Sequence, residues 1–312
     1  MTKIVPVVLL VFYMVPVYAG CSIAGGKSLK PYDGVVSTDG FGPSGGCKDS
    51  WSREVSFIRH LISREDYRES LFLLERLEAE TTRQLDSLNY LTGWVHYQKK
   101  SLELSAGYLL KVGNDSPVYQ KSRFFAAYNF AHIGDAGKGR EVLKRTDAGQ
   151  DGLYHALQRL QLAGTALLER NLEQYRSYAT DFSGNHHVTA AQEKQMEHHY
   201  NRLMDHRASS PFVAGVLSAA VPGLGKIYAG KPAEGVAGFL YVTALGLTAF
   251  DFYRGSGPDS VLFILSASAA GAFYVGNIVG SATAARRVNQ EFNHEMDQRV
   301  LFDMHIPLRN AF

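Results

Sequence analysis

Between Ser210 and Ala285 the chain is nearly free of charge, and the stretches Gly235–Phe250 and Ser260–Ala285 hold no Asp, Glu, Lys or Arg at all. As a helix rising about 1.5 Å per residue, the second is longer than the roughly 30 Å hydrocarbon core of a bilayer. In so apolar a setting the backbone must satisfy its own N–H and C=O groups, which leaves helices as the fold for both. Asp251, Arg254, Gly255, Gly257 and Pro258 separate them and read as a turn. The expected result is a C-terminal transmembrane helical hairpin within a membrane domain, residues 208–290.

The chain before it is built differently. Residues 50–207 are rich in Arg, Glu, Lys and Gln, and apolar residues recur at helical spacing. Val55, Ile58, Leu61 and Ile62 form one stripe, and Leu71, Leu73, Leu74 and Leu77 form the next after Arg64-Glu65-Asp66. Further helical segments are Thr82–Lys100, Leu102–Val112, Val118–Ile133, Gly137–Lys144, Leu153–Glu169 and Leu172–Phe182. Gly113-Asn114-Asp115 and Gly134-Asp135 punctuate them. A longer helix followed by a shorter one recurs about every 30–35 residues, the period of stacked helix hairpins. The fold class is therefore all-α: a helix-hairpin solenoid over 48–207, then the membrane helices.

Leu91-Thr92-Gly93-Trp94-Val95-His96-Tyr97, with Ala106, Leu109 and Pro117 downstream, resembles the tetratricopeptide repeat. Gly93 to Pro117 matches the family spacing, while Tyr97 and Ala106 each stand one place off it. Weaker units lie around Phe124–Phe130 and Ala163-Gly164. The resemblance implies a scaffold that binds a protein or peptide on its inner face, without cofactor or catalysis.

At the N-terminus Lys3, the apolar run Ile4–Val17 and Val17-Tyr18-Ala19 fit an export signal over residues 1–19. Tyr18-Ala19-Gly20-Cys21 also resembles a bacterial lipobox, although Tyr18 departs from its aliphatic first position. The cysteines, Cys21 and Cys47, lie in the exported part. They either form a disulfide or, with Cys21 lipidated, leave Cys47 free. Residues 20–47 are Gly-rich and read as a linker. Gly26-Lys27-Ser28 there is not a phosphate loop, because Cys21 stands where its leading glycine belongs.

Residues 185–207 read as a polar connecting helix. It holds His186, His187, His198, His199 and His206, with spacing too loose to define a metal site. Next comes Ala208–Gly225, an apolar segment ended by Pro222, Gly223 and Gly225. Pro222-Gly223-x-Gly225-x-x-Tyr228-x-Gly230, with the later Gly276-Asn277-Ile278-Val279-Gly280, is similar to a family of small bacterial two-helix membrane domains. That resemblance implies placement in the membrane and no chemistry.

Topology follows from charge. Lys226 and Lys231 precede one apolar stretch and Arg286-Arg287 follow the other, so the positive-inside rule puts both groups in the cytoplasm. An exported repeat domain then requires Pro211–Gly225 to cross as a third span, with a re-entrant elbow as the alternative. Ser268, Ala272, Gly276, Gly280 and Ala284 make a small-residue stripe suited to packing on the neighbouring apolar helix or on a second copy of the chain. Asn277 beside it reads as a polar link between helices. Val288, Phe292, Met296 and Val300 give the tail that runs from Arg286 to Phe312 one apolar face, so that residues 291–312 read as an amphipathic extension for the membrane or the chain's own helical domain, with Pro307 as its end.

The net charge of +2 over 312 residues supplies no basis for nucleic-acid binding, and no catalytic motif is present. The expected function is a cell-envelope scaffold at the inner membrane, its repeat domain in the periplasm. The alternative is an accessory subunit of a transport or secretion system. The implied partners are a protein or peptide and membrane lipid.

Overall fold

Thr81 opens the first long helix of the repeat region with a capping box: its hydroxyl accepts from the Gln84 N–H, and the Gln84 amide oxygen accepts from the Thr81 N–H. Asp135, Asp151, Asn171 and Ser210 cap later helices in the same sense. In this computed structural model residues 50–312 are described, apart from Gln150 and Asn185. The export signal, the Gly-rich linker and both cysteines lie outside the described residues. Every regular element among those described is helical.

Among the described residues nine helices precede the apolar region: α1 (Ser50–Ser63), α2 (Tyr67–Arg76), α3 (Thr82–Gln98), α4 (Leu102–Leu109), α5 (Tyr119–His132), α6 (Ala136–Arg145), α7 (Gly152–Leu168), α8 (Leu172–Ala179) and α9 (Ala190–Asp205). From α2 onward each packs on the next. The turns after α1, α3 and α7 place non-glycine residues in the left-handed region, at Glu65, Lys100 and Arg170. Buried polar links tie successive helices together. Asn129 of α5 donates to the Ser105 hydroxyl of α4, which donates to the Gly93 carbonyl of α3.

Four helices follow: α10 (Pro211–Ala220), α11 (Leu224–Tyr228), α12 (Pro232–Ser256) and α13 (Val261–Ala311). Both α12 and α13 contain stretches long and apolar enough to cross a membrane, and they pack on each other. The segment read as a third crossing or a re-entrant elbow folds back on itself. The Ser210 N–H, at the start of α10, donates to the Tyr228 hydroxyl at the end of α11 over 3.2 Å. The cause is local: Pro222 has no N–H for helix continuation, and Gly223 turns the chain at φ 85°.

α13 extends past Arg286-Arg287 with no break and carries the amphipathic face onto the array. Met296, Val300, Met304 and Leu308 are fully buried there, and α5, α7 and α9 pack along that stretch. Each such side chain contributes on the order of 1.5–3 kcal/mol. Pro307 does not end the helix as expected. It lies inside α13, buried, and the helix continues to Ala311 with its packing on both sides of the proline.

Candidate functional site

Two places gather the residues singled out by sequence: the face formed by α3, α5, α7 and α9, and the elbow between α10 and α11.

On the first face α3 presents Tyr90, Trp94 and Tyr97 as a stacked ladder, with Phe125 of α5 set edge-on against Trp94 and Tyr97. The Lys121 ammonium lies 4.5 Å from the Trp94 ring centroid. Gly93 and Ala106 sit on the opposite side of this layer, where Gly93 makes room for Leu109 and lets α4 approach α3. Pro117 is exposed in the turn before α5. This is the face expected to receive a partner, and the end of α13 fills it.

The docking is specific along its length. Arg170 donates to Asp297 at 2.8 Å and to Asn293. His199 and Asp303 pair at 2.7 Å in a buried setting. Gln161, fully buried on α7, donates to the Met304 carbonyl at 2.6 Å. Gly164 of α7 leaves the space that the Met304 side chain occupies. His305 stacks on Tyr128 with centroids 4.9 Å apart and shares a short hydrogen bond with the Tyr97 hydroxyl. Burial lowers its pKa to about 4, with Arg309, Lys100 and His132 adding to the effect. Phe312 stacks on Tyr154 and touches Phe124 and Phe125, while Lys121 donates to its carbonyl. Burial lowers the Lys121 pKa in turn.

At the elbow, close approach explains the motif glycines. A Cβ on Gly225 would strike the Ala214 carbonyl, and one on Gly223 would strike the Gly235 carbonyl. A polar relay crosses the layers. The Gly225 N–H donates to the Ser218 hydroxyl, Ser218 to Ser281, and Ser281 to the Asn277 carbonyl. Tyr274 donates to the Ala219 carbonyl, and Ser209 and Asn289 exchange two hydrogen bonds. The Asn277 side chain is buried beside Gly238, and neither amide atom has a hydrogen-bond partner among the described residues. Gly230 is exposed at φ 83° in the turn before α12.

The small-residue stripe does not pack as a unit on α12. Ala284 is buried against Ala214, and Gly280 lies under Lys226, so this end faces α10 and α11. Ser268, Ala272 and Gly276 are exposed. The stripe spans more turns than α10 and α11 cover.

Among the described residues no group of three or more His, Cys, Asp and Glu side chains is placed to hold a metal ion. His199 is taken by Asp303, and His206 stacks on Phe292 at 3.6 Å. The chain matches no protein-family model, and no curated protein or solved structure is significantly similar to it.

Sequence reasoning missed the docking partners Gln161, His199, Asp303 and His305, and the relay residues Ser218, Ser281, Tyr274 and Asn289. A lone polar residue shows its role only beside its partner. Asp303 and His305, set on either side of Met304 in the otherwise apolar run Leu301–Leu308, were the available signal that this end of α13 meets a polar as well as an apolar surface.

Proposed function

We propose that the chain is a membrane-anchored bacterial envelope scaffold, a tetratricopeptide-like solenoid carried on a transmembrane hairpin and offered to a protein or peptide partner. One observation carries this reading: α13 is exposed and apolar along its first half, then seats its second half in the array without a break. The array is thereby joined to the hairpin by a helix rather than a loose tether.

The same helix supports a two-span topology. With both ends of the hairpin at the array, the chain crosses an even number of times. The α10–α11 pair then enters and leaves on the array's side as a re-entrant elbow. Its tip meets α13 at Tyr274, about 16 Å along the helix from Ala285 and so near mid-bilayer. Irregular backbone at that depth needs burial in protein, and Gly223 and Gly225 have it. Charge alone would put Lys226, Lys231, Arg286 and Arg287, and the array with them, in the cytoplasm. The N-terminal export signal puts the array in the periplasm. We follow the signal, because the first topogenic element usually dominates orientation.

Since α13 fills the inner face, we place the partner at the uncovered α1–α3 end, where Phe57, Phe72 and Leu85 are exposed. A transport or secretion accessory is the second reading, favoured by the buried, unpartnered Asn277 amide at the elbow. There Asn277→Ala stops transport and leaves partner binding intact.

Reporter fusions after Phe182, Gly255 and Phe312 test the scaffold topology. Phe182 and Phe312 are expected outside and Gly255 inside. Phe182 and Phe312 on opposite sides would overturn it.

A further inference from the structure

Lys226 is set into the rim of the hairpin in an unusual way for a lysine beside an apolar layer. Its stem lies on α13, with Cε 3.8 Å from where a Cβ on Gly280 would stand, an ordinary contact distance. Arg287 stands seven residues further along α13, two turns and about 10 Å away on the same face. Helical side chains lean toward the N-terminus of their helix, which tilts Arg287 back toward Gly280 and Lys226. Arg287 is exposed and Lys226 half-buried, and neither has an ion-pair partner among the described residues. Of their charged neighbours, Lys231 pairs with Glu234 at 3.8 Å, Arg286 adds a further unpaired cation, and Glu291 lies one turn beyond Arg287, away from the apolar layer.

Apolar surface adjoins the two cations. Val221, Leu224 and Ile227 are exposed around α11, as are Val275 and Val279 on α13. Tyr228, also exposed, stands at the same level with its hydroxyl toward Ser210, the posture of an interfacial aromatic. Two cations on one side of α13 above an apolar wall, neither with an ion-pair partner among the described residues, suit a phosphate monoanion with hydrocarbon attached below it.

We propose that Lys226 and Arg287 bind the headgroup phosphate of an anionic phospholipid, whose acyl chains lie against α11 and the exposed flank of α13. The lysine supplies a point charge at the rim, its stem snorkelling along Gly280, and the guanidinium supplies a planar donor pair for two phosphate oxygens. The bound lipid fills the junction between the re-entrant elbow and the long helix, where protein contacts stop. The site rests on the two-span membrane reading.

The test uses the full chain purified in detergent, with thermal unfolding followed as phosphatidylglycerol, phosphatidylcholine or soluble glycerol phosphate is added. Phosphatidylglycerol is expected to raise the midpoint and the other two to leave it unchanged. Lys226→Gln with Arg287→Gln should weaken the phosphatidylglycerol response roughly tenfold or more in lipid concentration. The charge-matched pair Lys144→Gln with Arg145→Gln, on the array, should keep it. Equal shifts with phosphatidylcholine, or a full shift in the double variant, would overturn the site. A full shift with glycerol phosphate alone would make it a soluble-anion site and also overturn the proposal. An alkaline wash of membranes separates the underlying reading: a chain that washes off was never integral, whereas one that stays and shows no lipid preference refutes only this site.

Discussion

The two halves of α13 share one backbone and face opposite surroundings. Over Val261–Ala285 apolar side chains point in every direction, and Val261, Leu265, Phe273 and Val279 are exposed. Over Val288–Ala311 the apolar residues narrow to a stripe, and Met296, Val300, Met304 and Leu308 are fully buried. A helix apolar all round needs an apolar medium or a protein interior, and this one lacks the interior; a striped helix needs one partner face, which the array supplies. The distribution of apolar residues around a helix, more than their number, therefore tells which parts of a long helix find protein.

The largest effect should come from breaking the second half. Ending the chain before Met296 removes four fully buried side chains from the array and leaves Gln161 and His199 without their partners. The 48–207 fragment is expected to lose cooperative unfolding and to expose apolar surface to a fluorescent dye. Met304→Ala in the full chain is a graded version. It should cost about 2–4 kcal/mol, since it opens a cavity beside Gly164. Cooperative unfolding of the bare fragment at undiminished stability would mean that the array does not need the tail.

A smaller, local effect belongs to the first half and its elbow. Gly225→Val drives a side chain into the Ala214 carbonyl, which cannot rotate away as a flexible side chain does. The expected cost is about 2–3 kcal/mol, as for overpacking in a close-packed core. It should be confined to α10–α11 and appear as protease cleavage near Pro222 with the array's unfolding unchanged. Destabilisation of the array as well would show that the halves of α13 are coupled through the elbow.

Much of this arrangement was legible in the sequence. Helical periodicity located α3, α5 and α7 to within a few residues, since their apolar spacing, caps and breaker residues agree. The long uncharged stretches located α12 and the start of α13. What was not legible is long-range pairing. The stripe Phe292, Met296, Val300 announces a partner face but not which one, and the array's own stripes are equally mute. Charge counting left Pro211–Gly225 between a third span and a re-entrant elbow, because it treats a segment as able to cross once it is apolar. The doubling back depends on the fit of Gly225 under Ala214, a three-dimensional fact. Asn277 was read as a polar link between helices, yet its buried amide finds no hydrogen-bond partner among the described residues.

The smallest effect is a pH response of the docked half alone. His305 in an undocked tail titrates near its usual 6.5, and in the docked tail near 4. Between those values the released tail binds the proton more readily. Docking strength from this group is therefore complete above about pH 6.5 and is lost as the pH falls toward 4. Solvent reaches part of the imidazole, so the effect is about 1 kcal/mol rather than the full value of the shift. The groups facing it set the sign: Arg309, Lys100 and His132 oppose its protonation, and Tyr97 and Tyr128 enclose it without offering a carboxylate. Trp94 stacks on Tyr97 and reports the change through its fluorescence. Acidification from pH 7 to 4.5 should shift that emission in the wild-type chain, and His305→Gln should flatten the response without altering the elbow. If His305→Gln leaves the pH profile unchanged, the response does not arise from the docked imidazole, and the pH contrast between the two halves fails.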